Sequence, residues 1–511
     1  MHTSPTIPAS PPNRQGLLYW AYRAIEECDK TAAGFEADPV HDLRVAIRRC
    51  RSMADGLLAV DPDPGWKQLK RLGKPLFASL GELRDVQVMM EWVEKLSAPE
   101  DQARAILLGE LRGREEKLKV AAQQALGEFD RKQWLALGER LAGRMESIPP
   151  DGSVFQSLAV ERWNEARDLH RRALRNRSGA AYHRLRIGIK RLRYTAENFL
   201  PSLHEKWAKD LRALQDALGE VHDFDVLWAM LRSHPEIAPE VREHWRVKIQ
   251  EERDKRLTLY RERMVGGNSL WKTWRAELPE GEVLRRAGLD RFRIRAAFLD
   301  PDFEQAQQVA ATALHLYDGL AGAGLVNVSS GLRDILEAAA LLHGVGRGKH
   351  EQGHRKRAFR MLVKLAPPPG WSAEEMRLVA IIARYQHGPI APVTHGMFAG
   401  MPRQARTQAL RLAGILRLAA AIGEATQGRY GQLRLESYGS TVIISAAHLD
   451  GQLGPTGERL ARGKYLLEAS CGVTVKFAHT TRQRRRIPAV RANKNREPGA
   501  EPVTSAPNDQ N

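Results

Sequence analysis

Two stretches of the chain repeat the same four polar positions. His41, Arg44, Arg48 and Arg51 stand at i, i+3, i+7 and i+10, and His183, Arg186, Lys190 and Arg193 stand at the same intervals 142 residues later. On a helix, these positions fall within an arc of roughly 80°. Leu43, Ile47 and Cys50, like Leu185, Ile189 and Leu192, fall on a different arc. Each copy is therefore predicted to be an amphipathic helix with one apolar face and one cationic stripe. A guanidinium fork holds two oxygens at once, so a fixed row of forks suits phosphate better than diffuse charge does. A single such row is usually a solvated basic face. Its recurrence at identical intervals points to a ligand.

Asp38-Pro39 reads as an N-cap followed by Pro at the first helical position, which would put His41 in the first turn. There the free N–H groups and the helix dipole favour an anion. Ser178 is expected to begin the second helix. The repeat continues downstream: Leu80-Gly81-Glu82-Leu83-Arg84-Asp85 corresponds to Leu218-Gly219-Glu220-Val221-His222-Asp223 at an offset of 138. In that register Arg71 pairs with Lys209 and Lys74 with Arg212, adding cations to the helix after each stripe. Asp85 and Asp223 read as structural carboxylates, capping a helix or pairing with a stripe arginine. No second carboxylate accompanies both, because Gln87 stands where Asp225 does.

The chain has 511 residues, a formal net charge of +18 and a pI near 9.9. That balance implies a polyanionic partner without choosing among nucleic acid, acidic lipid and polyphosphate. Cys28, Cys50 and Cys471 are too far apart for a zinc-type spacing, and they suggest a reducing compartment. No apolar run reaches the roughly 18 residues of a membrane span. Residues 1–14 read as a loose Pro- and Ser-rich tail with no signal peptide. A cytoplasmic location is expected.

From Gln15 to about Trp274 the pattern is helical, with breaks at 61–65, 97–99, 148–152 and 234–235. The break at 148–153 separates repeat one (about 15–147) from repeat two (about 154–275). Residues 276–299 read as a charged linker. A second domain is placed at 300–480, with helices over 303–320, 332–343, 376–385 and 406–422. Strands are expected at 432–438 and 441–445, turning at Gly439-Ser440, with a third at 473–477. Residues 481–511 read as a basic, disordered tail. The fold class is mainly α: two repeat-related helical bundles, then an α-helical domain with a small β-hairpin or sheet near its C-terminus.

The paired His-x-x-Arg-x-x-x-Arg/Lys-x-x-Arg helices, the Lys190-Arg191-Leu192-Arg193-Tyr194 sequence and the Leu-Gly-Glu-x-x-Asp segments resemble the CHAD (conserved histidine α-helical) domain, over about half the chain. The resemblance implies two helical bundles related by an approximate two-fold, with the basic helices lining a central groove. It also implies binding of inorganic polyphosphate and association with polyphosphate granules. The expected contacts are His41, Arg44, Arg48, Arg51, Arg71 and Lys74, and His183, Arg186, Lys190, Arg193, Lys209 and Arg212.

The second half resembles the C-terminal HD-type domain of the exopolyphosphatase/guanosine-pentaphosphate phosphohydrolase family. The resemblance is carried by Glu337-Ala338-Ala339-Ala340-Leu341-Leu342-His343, Gly353-His354, the 378–385 run and the 413–419 run. An HD site needs histidines and aspartates that converge on metal ions. Here Gly344 follows His343 in place of Asp, Gln305 and Gln386 stand at histidine positions, and Ala420 and Gly423 stand at aspartate positions. His343, His354 and His387 remain. The domain is therefore expected to be a degenerate HD fold with no metal, no other cofactor and no catalysis. A homodimer is compatible with the same resemblance. The rival readings are a metal-dependent phosphohydrolase acting on polyphosphate or guanosine pentaphosphate, and a nucleic-acid-binding protein. The last is the weaker, because the stripes carry no interleaved aromatic residues for base stacking.

Overall fold

The structure is a computed structural model that describes residues 16–348, 353–389, 396–426, 433–446 and 455–479. The two expected tails and Gln432 of the first expected strand lie outside the described residues.

Repeat one runs through α1 (Leu17–Ala32), α2 (Ala37–Leu57), α3 (Gly65–Leu72), α4 (Lys74–Leu96), α5 (Gln102–Gly127) and α6 (Arg131–Glu146). Repeat two follows the same order in α7 (Ser153–Asn176), α8 (Gly179–Phe199), α9 (Pro201–Ser233), α10 (Pro239–Met264) and α11 (Leu270–Ala276). The long α9 stands where repeat one has α3 and α4. The interruption falls at Gly73, where an added Cβ would lie 2.8 Å from Trp134 and 3.3 Å from Ile47. The close approach of those two side chains requires glycine there.

The stripe helices α2 and α8 sit at the centre. Leu43, Ile47 and Cys50 share one fully buried core with Leu185, Ile189 and Leu192, as the apolar arcs required. A second core joins the far ends of the two long hairpins, where Trp92 of α4 meets Phe224 of α9 edge to face at 4.7 Å. Ser178 caps α8, its Oγ accepting from the Ala181 N–H at 3.3 Å. At α2 the expected start is corrected. The helix begins at Ala37 after Glu36, with no side-chain cap, so Asp38 and Pro39 lie inside the first turn and His41 just beyond it.

The expected linker contains a helix. Residues 281–299 form α12 (Gly281–Leu299), which joins the two domains. It buries Leu284, Ala287, Leu289, Phe292 and Ala296 at helical spacing. Its charges pair with both neighbours. Arg291 bonds Glu161 at 3.0 Å and the Ala59 carbonyl at 3.2 Å, while Arg285 bonds Asp334 at 2.6 Å and Arg293 bonds Glu337 at 3.0 Å. High charge density here marks a helix between two partners, not a solvated connector.

The second domain packs α13 (Phe303–Gly322), α14 (Ser330–Leu342), α15 (His354–Val363), α16 (Ala373–Arg384), α17 (Arg403–Thr426) and α18 (Pro455–Cys471) around a separate core. Beside them lies a three-stranded sheet of β1 (Arg434–Tyr438), β2 (Thr441–Ala446) and β3 (Thr474–His479), in that order. The β1–β2 hairpin is antiparallel and turns at Gly439, whose φ is +59°. β3 returns parallel to β2 after α18. Among the described residues no helix is long and apolar enough to cross a membrane.

Candidate functional site

The packing of α2 against α8 brings the two cationic stripes together. Arg48 and Arg51 of α2 line a cavity of about 300 Å³ with Lys190, Arg191 and Tyr194 of α8, Lys70 of α3 and Arg162 of α7. Lys190 stands where the charges are most crowded. Burial and the guanidiniums of Arg186, Arg48 and Arg44 push its ammonium down to about 7, with Asp85 opposing them. Burial also lowers Arg44, with Asp85 as its largest favourable charge.

The stripe arginines of α2 are anchored by aromatic faces and carbonyls. The ring of Phe77 carries Arg44 at 4.9 Å and Arg51 at 5.2 Å. Arg44 Nη1 donates to the Phe77 carbonyl at 3.2 Å, and Arg51 Nη1 donates to the carbonyl of Lys70. Arg48 lies 5.7 Å over Tyr194, whose buried hydroxyl has no partner among the described residues. Such anchors fix the guanidiniums without cancelling their charge. The carboxylate on the cavity wall, Asp55, is taken by Lys70 and lies 3.7 Å from Arg162.

The glycine of each Leu-Gly-Glu segment lies beneath the first arginine of its stripe. A Cβ on Gly81 would stand 2.7 Å from Arg44 Nη1, and one on Gly219 would stand 3.6 Å from Arg186 Nε. The missing side chain is therefore a seat for a guanidinium in both copies, tighter in the first.

The two histidines are placed differently. His41 is exposed, its Nδ1 3.2 Å from Asp42. His183 is half-buried, its ring tilted against that of His222 at 4.5 Å between centroids, and its Nδ1 has no partner among the described residues. Burial, Arg186 and Lys190 depress its protonation. Arg186 Nε is likewise buried without a partner, and Arg193 lies 3.8 Å from Glu197. Arg212, exposed on α9, approaches the same region, where Arg193, Arg212 and Lys190 act together on Asp216. Lys74 and Lys209 are exposed on α4 and α9. Arg71 lies elsewhere, lining a separate cavity of about 340 Å³ with Phe129 and Gln133. Lys70 takes the groove position instead, because the break at Gly73 cuts the register that would have carried Arg71 there. Asp223 is held half-buried and pushed up to about 6, first by burial and then by Asp85.

Sequence reasoning missed Lys70, Phe77, Arg162 and Tyr194. Tyr194 stands in the quoted Lys190-Arg191-Leu192-Arg193-Tyr194 sequence, but its counterpart at the repeat offset is Ser52, so the repeat does not mark it as part of the site. Phe77 and Arg162 carry no sequence signal, since their role arises from which helices pack together.

The described residues of the HD-like centre do not fit metal ions. His343 is buried, its Nδ1–H donating to the Ala340 carbonyl at 2.6 Å, and burial pushes it down to about 4. Its Nε2 faces Arg347 Nη2 at 3.4 Å, and Arg347 Nη1 donates to Gln305 Oε1 at 3.2 Å. A guanidinium thus stands among the residues that would surround a metal ion. His387 turns to Glu424 at 3.6 Å. The space of an aspartate side chain after His343 is taken as well: a Cβ on Gly344 would lie 1.8 Å from Asp300 Oδ2. Among the described residues no group of three or more His, Cys, Asp or Glu side chains could hold a metal ion.

Residues 19–232 match the CHAD domain family, and residues 296–441 match domain III of the Ppx/GppA phosphatases. The crystal structure of the CHAD domain from the plant Ricinus communis is similar at 24% identity, with 51% of this chain and 88% of that chain covered and a TM-score of 0.35. No curated protein matches the chain. The chain therefore carries a CHAD domain over residues 19–232, followed by a region that matches Ppx/GppA domain III over residues 296–441.

Proposed function

We propose that the chain binds inorganic polyphosphate in the groove between α2 and α8, and holds it without hydrolysing it. The two domain matches suggest a polyphosphate-related function. The observation that carries the finer reading is the crowding of Arg44, Arg48 and Arg186 around Lys190, where Asp85 is the opposing charge and aromatic and carbonyl groups anchor Arg44 and Arg48. Such an arrangement is repulsive by itself and is relieved by a polyanion. A linear polymer fits it better than a single phosphate, because the cations are spread along two helices. The bound polymer would place the protein at polyphosphate granules in the cytoplasm.

A hydrolytic reading draws support from the match to a phosphatase domain. Against it stands Arg347, which bonds Gln305 and faces His343 where a metal ion would be needed. A nucleic-acid reading draws support from the net charge. Against it, Phe77 and Tyr194 already carry arginines on their faces and do not offer stacking platforms. Titration with long-chain polyphosphate, in competition with DNA and RNA of matched charge, tests the proposal. Polyphosphate is expected to displace both. Displacement of polyphosphate by nucleic acid at equal charge would refute it.

A further inference from the structure

We infer that Asp55 makes the groove between α2 and α8 select the end of a phosphate chain, by accepting a hydrogen bond from the protonated oxygen of a terminal phosphate. The inference rests on the polyphosphate reading and adds a specificity that cations alone do not supply.

Asp55 stands four residues after Arg51, so it continues the stripe of α2 by one helical turn. Among the described residues that line the cavity of about 300 Å³, it alone carries a carboxylate. It shares the wall with Arg48 and Arg51 of α2, Lys70 of α3, Arg162 of α7, and Lys190 and Arg191 of α8. Burial works against its ionisation, but Lys70, Arg162 and Arg191 outweigh burial and hold the carboxyl below its usual range. At neutral pH the group is therefore ionised and can only accept. Its Oδ1 accepts from Lys70 Nζ. Its Oδ2 stands 3.7 Å from Arg162 Nη2, beyond hydrogen-bond reach, and makes no hydrogen bond with a described residue. The side chain is 35% exposed and lines the cavity, so an occupant can reach it.

The equivalent position of repeat two, 142 residues later, is Glu197. Each stripe thus ends in a carboxylate, but the two are used differently. Glu197 is 10% exposed and held by Arg49 of the other repeat, whereas Asp55 stays open.

An ionised carboxylate repels an oxyanion that carries no proton and binds one that does. Interior units of a phosphate chain are strongly acidic and carry no proton near neutral pH. A terminal unit has a second, weakly acidic oxygen that titrates near neutral pH, as in a phosphate monoester at about 6. The chain end is the part that matches an open carboxylate among cations. The shape of the groove agrees. Beside Asp55 the stripe helices meet: Asn198 Nδ2 donates to Ser52 Oγ at 2.9 Å, and the Phe199 ring fills the space that a Cβ on Gly56 would need.

Calorimetric titration of the full chain, near neutral pH, with one polyphosphate in two forms tests the inference. One form has free ends and the other has both ends capped as methyl esters. The ester matches the charge of a protonated terminal unit and lacks its proton. The parent protein is expected to bind the free-ended form at least fivefold more tightly. Asp55→Asn keeps the shape of the side chain and removes its charge, so it should bind the two forms within twofold, chiefly by gaining affinity for the capped one. Glu197→Gln should keep the parent's preference. Equal binding of both forms by the parent, or a preference that survives in Asp55→Asn, would overturn the inference. Either result would leave the polyphosphate reading standing and assign Asp55 to the positioning of Lys70 and Arg162. Binding of neither form by the parent would overturn both.

Discussion

Gly81 lies so close beneath Arg44 that a Cβ would meet its Nη1 at 2.7 Å, whereas the equivalent Gly219 would leave 3.6 Å to Arg186 Nε. The two seats therefore differ in tolerance. Gly81→Ala should push the Arg44 guanidinium off its place on Phe77 and weaken polyphosphate binding by about five- to tenfold, less than the loss of a whole charge-assisted hydrogen bond, because the guanidinium is displaced and not removed. The fold should survive, because the atom that must move ends a flexible side chain. Gly219→Ala meets only ordinary contact inside a helix, so it should leave binding unchanged and add up to about 1 kcal/mol of stability. Binding isotherms and thermal melts of the two variants check the pair.

Lys190 should make binding pH-dependent. Its pKa is lowered from 10.5 to about 7 in the folded protein. The sign for folding follows directly. The folded state resists the proton that the unfolded chain accepts, so this group's cost is full below about pH 7 and fades as pH rises toward 10.5. A polyanion reverses the repulsion and raises the lysine's pKa. Binding should therefore take up protons near neutral pH and tighten as pH falls from 8 to 6. His183 and His222, also depressed, should extend the effect below 6.5. Lys190→Arg should remove the part between pH 7 and 8. Proton uptake can be read from titrations in buffers of different ionisation enthalpy. An unchanged pH profile in that variant would assign the effect to the histidines.

Restoring the aspartate of the HD motif should fail for a steric and electrostatic reason. In Gly344→Asp the new side chain would enter the space of Asp300 Oδ2, a carboxyl already held above the usual range by burial. The variant should lose about 3–5 kcal/mol of stability, as for an uncompensated buried charge. It should gain no phosphohydrolase activity with Mg²⁺ or Mn²⁺. Denaturant unfolding and phosphate release measure the two effects separately. Activity in the parent protein that disappears in His343→Ala would contradict the non-catalytic reading of this domain.

Much of the CHAD fold could be read from the chain because its information is periodic. Leu43, Ile47 and Cys50 declare one buried face, and the same intervals in Leu185, Ile189 and Leu192 declare its twin. The stripe residues Arg48, Arg51 and Lys190 reach one cavity because helical spacing fixes their direction. Features set by tertiary packing were not legible. Phe77 serves two arginines because α4 crosses α2 there. Arg71 was misplaced by the interruption at Gly73, which a repeat alignment treats as continuous. The charged connector read at 276–299 gave no sign of α12, whose arginines find Glu161, Asp334 and Glu337 only when the helices on either side are packed. Arg347 was invisible as an occupant of the HD centre, since nothing in the spacing says that a guanidinium folds back among His343 and Gln305.

The most direct test is a salt series of calorimetric titrations with long-chain polyphosphate, comparing the parent protein, Arg44→Ala/Arg186→Ala, and a variant with Arg484, Arg485 and Arg486 neutralised. Counterion release should make the parent's affinity fall steeply with salt. The groove variant should lose about ten- to a hundredfold in affinity and show a flatter salt slope, since each charge-assisted contact contributes about 1.5–3 kcal/mol before screening. The tail variant should lose less. A groove variant that keeps both affinity and slope, beside a tail variant that loses them, would contradict the assignment of polyphosphate to the groove between α2 and α8.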